Sequence, residues 1–167
     1  MNGTAQISPD ADSLQLAREM VDNRSVMAEI ITETITSAKA GSIKEAGRTV
    51  CPGSGSVKGP LQRFPRAVDL AACPVSRGGT YHTHVTANEM RTPENSLPDM
   101  ANVVYGMTDV SVVVGTQTAD IIVAAGDREQ AVVEFENAIG ESVSGPRELH
   151  DAITSRRIEP TTARARA

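Results

Sequence analysis

Residues 78–106 carry the chain's most chemically suggestive spacing: GGTYHTHVTANEMRTPENSLPDMANVVYG. Two of the chain's three histidines, His82 and His84, lie two apart. Ser96 and Asp99 follow, three apart, at the mouth of an apolar helix. On a strand, side chains two apart share a face, so His82 and His84 point the same way. Two imidazoles and one carboxylate are the protein ligands of a catalytic zinc site that keeps its fourth position for water. A competing account is purely local. Ser96-Leu97-Pro98-Asp99 has the form of a capping box with proline in the first turn, and alternating residues on a strand need bind nothing.

The elements that would position these residues can be read outward from them. Thr80 to Val85 alternates around Tyr81 and Thr83 after Gly78-Gly79 and reads as a strand. Met100, Val103, Val104 and Met107 recur at helical spacing, so a helix starts near Ser96 and sets Asp99 in its first turn. Residues 85–95 form a polar loop between the two halves of the motif.

The segment YHTHVTANEMRTPENSLPDMANVV resembles the metal-binding region of the JAMM (MPN+) metalloprotease family, in which HxH is followed by a spacer and SxxD. His82, Thr83 and His84 match the first half, and Ser96, Leu97, Pro98 and Asp99 the second. Val85 and Asn95 stand where the family usually has proline, and the spacer is longer. The resemblance spans roughly residues 13 to 125. It implies an α+β fold with a curved mixed or antiparallel sheet flanked by helices, in a cytidine-deaminase-like layering. It also implies Zn2+ held by His82, His84 and Asp99, and a catalytic glutamate at a strand start after an N-terminal helix. Glu29 is the expected general base, with Glu33 as alternative. Ser96 would donate to the oxyanion, a role that competes with capping for one hydroxyl. The implied activity is hydrolysis of an amide or isopeptide bond in a protein or peptide substrate, with ubiquitin-like conjugates as one class. An inactive JAMM-like domain serving as a binding or assembly module is the alternative.

Composition bounds these readings. A chain of 167 residues suits one domain with a real core. A net charge of −5 argues against a nucleic-acid surface. No apolar run is long enough for a membrane span, and MNGTAQISPDADS has neither the basic nor the apolar region of a secretory signal. A cytoplasmic location is therefore expected, and no pattern specifies an oligomeric state. Cys51 and Cys73, widely spaced and outside any CxxC, are expected as buried free thiols. No phosphate-binding loop or other cofactor site stands out.

Taken in order, residues 1–11 are expected to be disordered, 12–158 to form a single domain, and 159–167 to be a mobile tail. Asp12-Ser13 opens a helix ending near Asn23. Glu29 to Thr36 is rich in β-branched residues and reads as a strand, although continued helix is compatible. Ile43 to Cys51 would be its antiparallel partner, and Gly53-Ser54-Gly55-Ser56 a turn or hairpin tip. Residues 52–79 read as turns and loop, with Arg63, Arg66 and Arg77 as solvated positions and RAVDLAAC as a short element. Asp109 to Gly115 is a near-continuous apolar run, a central buried strand, paired with Asp120 to Ala125. Gly126-Asp127 opens an amphipathic helix ended by Gly140. A last helix begins at Ser144-Gly145-Pro146, with His150 on its surface.

Overall fold

The structure is a computed structural model and describes residues 7–41, 45–51, 55–58, 78–84, 86–140, 142, 145 and 148–149. Expectations for Arg63, Arg66, Arg77, residues 66–73, Val85, His150 and the tail lie outside those residues.

Two helices open the fold. The first, α1, spans Ala11–Asp22 and is capped by Asp10, whose carboxylate accepts from the Ser13 amide. The second, α2, spans Arg24–Lys39. Asn23 ends the first and caps the second, its side-chain oxygen accepting from the Val26 amide. Residues 29–36 are thus helical, which corrects the expected strand. Val26, Met27, Ile30, Ile31 and Thr34 recur at i, i+4 spacing, and Ile30 and Thr34 are buried. The apolar stripe outweighs β-branched propensity, which reflects surroundings more than backbone preference. Thr32 and Thr34 fit the helix by donating to the carbonyls four residues back.

Five strands follow in one sheet: β1 (Gly47–Cys51), β2 (Gly55–Lys58), β3 (Gly79–His82), β4 (Val110–Val114) and β5 (Ala119–Val123), in the order β2-β1-β3-β4-β5. The β3–β4 pair is parallel and the other three are antiparallel. β1 and β2 pair antiparallel with Cys51 opposite Gly55, so Gly55 and Ser56, expected in a turn or hairpin tip, lie on β2. Three helices complete the order: α3 (Ala87–Arg91), α4 (Leu97–Val104) and α5 (Arg128–Ile139). The described residues therefore form an α+β fold with a mixed sheet. Residues 8–10, expected to be frayed, are held: Pro9 bridges Ala125 and Asp10 donates its amide to the Ala124 carbonyl.

The two faces of the sheet meet different layers. Val110, Val112 and Val114 pack with Tyr81, Ala46, Ala17, Met20 and Ile30 beneath α1 and α2. A second apolar cluster joins α4 to α5 through Leu97, Ala101, Phe135 and Ile139. Gly79 permits the first packing, because a Cβ there would lie 2.2 Å from Met20 Sδ. The Tyr81 hydroxyl donates to the Met20 carbonyl at 2.6 Å. Arg48, 3% exposed on the α1–α2 face, donates to Glu29 at 2.8 Å and to Glu33, pinning α2 to β1. A buried guanidinium is tolerable only when its donors are answered, and these two glutamates supply the answer.

Cys51 is disulfide-bonded, which corrects the expectation of free thiols. Separation along the chain says nothing of approach in space. Among the described residues no helix is long and apolar enough to cross a membrane.

Candidate metal centre

The face of the sheet opposite α1 and α2 holds the chemistry. β3 ends at His82, and the chain leaves the ladder through Thr83 and His84. Across from it, Ser96 caps α4 and Asp99 sits in the first turn. The three side chains converge. His82 Nε2 lies 3.3 Å from His84 Nε2 and 3.2 Å from Asp99 Oδ2. His84 Nε2 lies 3.5 Å from the same oxygen. Tetrahedral coordination with bonds of about 2.0–2.1 Å requires ligand atoms about 3.3–3.4 Å apart. The observed triangle matches one face of that tetrahedron, so the group can hold a metal ion through three protein ligands. The side chains of His82, His84 and Asp99 are 10%, 13% and 17% exposed, leaving the triangle reachable by water.

Ser96-Leu97-Pro98-Asp99 forms the expected capping box, and its Asp99 faces the imidazoles. The Ser96 amide donates to Asp99 Oδ2 at 2.8 Å, and the Asp99 amide donates to Ser96 Oγ at 3.2 Å. The cap orients the carboxylate that faces the imidazoles. It uses Ser96 Oγ only as an acceptor, and a hydroxyl also carries one proton to donate. Capping and oxyanion donation are therefore compatible, which removes the conflict expected from the sequence.

Burial pushes the Asp99 carboxyl up, but the charge of His82 and the hydrogen bonds from His82, His84 and the Ser96 amide outweigh it. Together they hold it well below the usual carboxylate range. Burial likewise works against a charged His84, and Asp99 overcomes it, raising His84 above its ordinary value with help from Glu45 and Glu89. Asp99 thus stays ionised, as a metal ligand must.

Glu29 and Glu33 do not reach this face. They belong to α2, on the other side of the sheet, with their carboxylates on Arg48. The acidic side chain brought to the histidines is Glu45, missed from the sequence. Gly47 pairs with His82, and Glu45, two residues before Gly47, is near enough to both histidines for their charges to act on its carboxyl. Glu45 is 5% exposed. Burial pushes its carboxyl up to about 7, against the opposing pull of His82 and His84 and with the added push of Asp99 and Glu89. The signal was a glutamate two residues before a strand that opens with glycine.

The pKa of Glu45 makes a stability prediction. The folded chain holds this proton more tightly than an unfolded chain with the ordinary value of 4.5. Folding is favoured by the bound proton below 4.5, and that advantage is lost as pH rises through about 7. Metal-free wild type should lose about 2 kcal/mol relative to Glu45→Gln over this window, allowing for partial screening of the full linkage. Urea unfolding of both proteins at pH 4.5 and 8 checks it. A gap between them that is independent of pH would contradict the assignment.

Asn95 shows why this chain lacks proline before Ser96. Fully buried, it donates its amide to Asp120 Oδ2 at 2.7 Å and its Nδ2 to the same oxygen at 2.9 Å, and it accepts from Ser111 Oγ at 2.7 Å. Proline would remove the amide donor. These bonds tie the start of α4 to β4 and β5. Asn95→Ala should cost about 1–3 kcal/mol, since it takes the side-chain donor from Asp120 and the acceptor from the buried Ser111 hydroxyl. Urea denaturation measures it, and a loss below about 0.5 kcal/mol would show the network is not holding the loop.

The expected loop at 85–95 contains α3, closed by a capping box between Thr86 and Glu89. Its end is pinned to the β4–β5 turn, where the Thr116 amide donates to the Met90 carbonyl at 2.8 Å. Gly115 permits the approach, because a Cβ there would lie 2.7 Å from Pro93.

Comparison with protein-family models, curated proteins and solved structures returns no match. The site is accordingly read from its own geometry.

Proposed function

We propose that this chain is a zinc-dependent hydrolase of amide or isopeptide bonds, built on the JAMM plan, in which Glu45 rather than Glu29 or Glu33 is the general base. The observation that carries it is the triangle of His82, His84 and Asp99 with tetrahedral edge lengths, beside a buried carboxyl whose pKa is about 7. Neutral His82 and His84 and ionised Asp99 would hold the ion. Zinc bound by three protein ligands supplies a nucleophilic water with its pKa lowered to about 7 and a Lewis acid for the scissile carbonyl.

The remaining work falls to side chains of this chain. Glu45, ionised near neutrality, accepts a proton from the attacking water and returns it to the leaving amine. Its burial raises its basicity to the range such a shuttle needs. Ser96 directs its free O–H at the developing oxyanion, where loss of one such donor costs about 2.7–4 kcal/mol. The cap of α4 keeps Asp99 aimed at the imidazoles throughout.

The substrate class is a protein or peptide, with ubiquitin-like conjugates as one form. Zinc-loaded protein is assayed against fluorogenic peptides and a lysine-isopeptide conjugate. The proposal expects turnover that chelation removes and zinc restores. Stoichiometric zinc with no turnover on either substrate would favour a binding or assembly role instead.

A further inference from the structure

Between the two histidines stands Thr83, which is fully buried and faces away from the metal triangle toward α2. Its surroundings form a complete chain of donors and acceptors. The Thr83 amide donates to the Ala46 carbonyl at 3.0 Å, the first rung beyond the β1–β3 pairing of Gly47 with His82. In a regular antiparallel pair the Ala46 amide would return a bond to the Thr83 carbonyl. Here it donates to Thr83 Oγ1 instead, at 3.0 Å. Thr34 Oγ1 donates to the Ile30 carbonyl. The two hydroxyls lie 2.6 Å apart, and with the Thr34 proton on the Ile30 carbonyl the Thr83 proton goes to Thr34 in preference to the Ala46 carbonyl, which is 3.5 Å away.

We propose that Thr83 is a positioning residue for the metal centre: its hydroxyl replaces its own carbonyl in the last rung of the β1–β3 ladder, letting the chain leave the sheet at His84 while Ala46, and with it Glu45, stays fixed. The ladder ends at Thr83, and beyond it the two imidazoles meet with their Nε2 atoms 3.3 Å apart. Thr34 then anchors the pivot to α2 on the far side of the sheet. One hydroxyl thereby sets the spacing of both imidazoles and the placement of the peptide that follows Glu45. The inference rests on the metal reading above and adds to it a residue that touches neither metal nor substrate.

The test uses full-length protein, purified without a histidine tag, and two probes: zinc affinity by competition with a chelator, and the visible spectrum of the cobalt(II)-substituted protein. Thr83→Ser keeps the hydroxyl and should match wild type in both. Thr83→Val keeps the shape and loses the bond. It should bind zinc about 10- to 100-fold more weakly, the range for losing a group that orients metal ligands, with an altered cobalt spectrum. A folded Thr83→Val protein with wild-type affinity and spectrum would overturn the proposal. Should that variant fail to fold, Thr34→Val carries the test, since it removes the Thr34 hydroxyl and leaves the bond between the Ala46 amide and Thr83 Oγ1 in place. A shifted cobalt spectrum in Thr34→Val supports the pivot, and an unchanged spectrum and zinc affinity overturn it. Wild type that takes up neither metal would overturn the metal reading itself, a result distinct from variants that bind normally.

Discussion

Glu45→Gln is expected to lower amide or isopeptide hydrolysis by about 10²- to 10⁴-fold, the range for losing a positioned general acid–base, while zinc stays bound at one equivalent. The change keeps the side chain's size and hydrogen-bonding capacity but cannot take a proton. Glu29→Gln and Glu33→Gln should remain within about 3-fold of wild type, a difference under 1 kcal/mol in barrier. Their carboxylates answer Arg48 across the sheet from the histidines, so their loss is felt in stability and not in turnover. Glu45→Gln with full activity would exclude Glu45 as the proton shuttle. Loss of activity in Glu29→Gln, with the protein folded and zinc-loaded, would reinstate the helix glutamate and contradict the face assignment of the whole sheet.

The second large effect concerns the ligands. His82→Ala and Asp99→Ala should each weaken zinc binding by more than 100-fold, beyond the 10- to 100-fold typical of groups that merely orient ligands. Asp99→Ala should in addition destabilise the metal-free chain by about 1 kcal/mol, because the same oxygen that faces the imidazoles accepts from the Ser96 amide. Asp99→Asn separates the two roles: it keeps an oxygen for the cap and loses the charge, so helix stability should be largely retained while metal affinity falls. The affinity should also weaken as pH drops. Asp99 raises His84 above its ordinary value, so protons compete for that imidazole from a higher pH than for a free histidine. A chelator titration between pH 5.5 and 8 follows this directly.

Much of the site was readable because its parts are short-range patterns. The two-residue spacing of His82 and His84 needs only a strand end, and β3 supplies it at Gly79–His82. Ser96 and Asp99 announce a capping box, and the box is there. Val110–Val114 reads as a buried central strand because both its faces are covered, one by α1 and α2 and the other beneath α4. Gly140, at φ +76°, ends α5 where a glycine should.

The glutamate failed for a physical reason that can be named. Ile30, Ile31, Thr34 and Ile35 look like strand residues by type, but their burial follows helical spacing, and Asn23 is placed to cap them. Treating them as a strand moved the expected strand start to Glu29 and hid Glu45. Once α2 runs to Lys39, the first strand opens at Gly47 and the glutamate before it is Glu45. Long-range partnerships were beyond reach for a different reason. Arg48 with Glu29 and Glu33, Asn95 with Asp120, and Thr34 with Thr83 all join residues well separated in sequence. Only the fold brings them together.

The most direct test of the account is X-ray absorption at the zinc edge on tag-free protein loaded with one equivalent of zinc, for wild type and His84→Ala. The account predicts two imidazole nitrogens and two oxygen donors at about 2.0–2.1 Å in wild type, with one imidazole lost in the variant. A sulfur-containing shell, an ion coordinated by oxygens alone, or a wild-type spectrum unchanged by His84→Ala would contradict it.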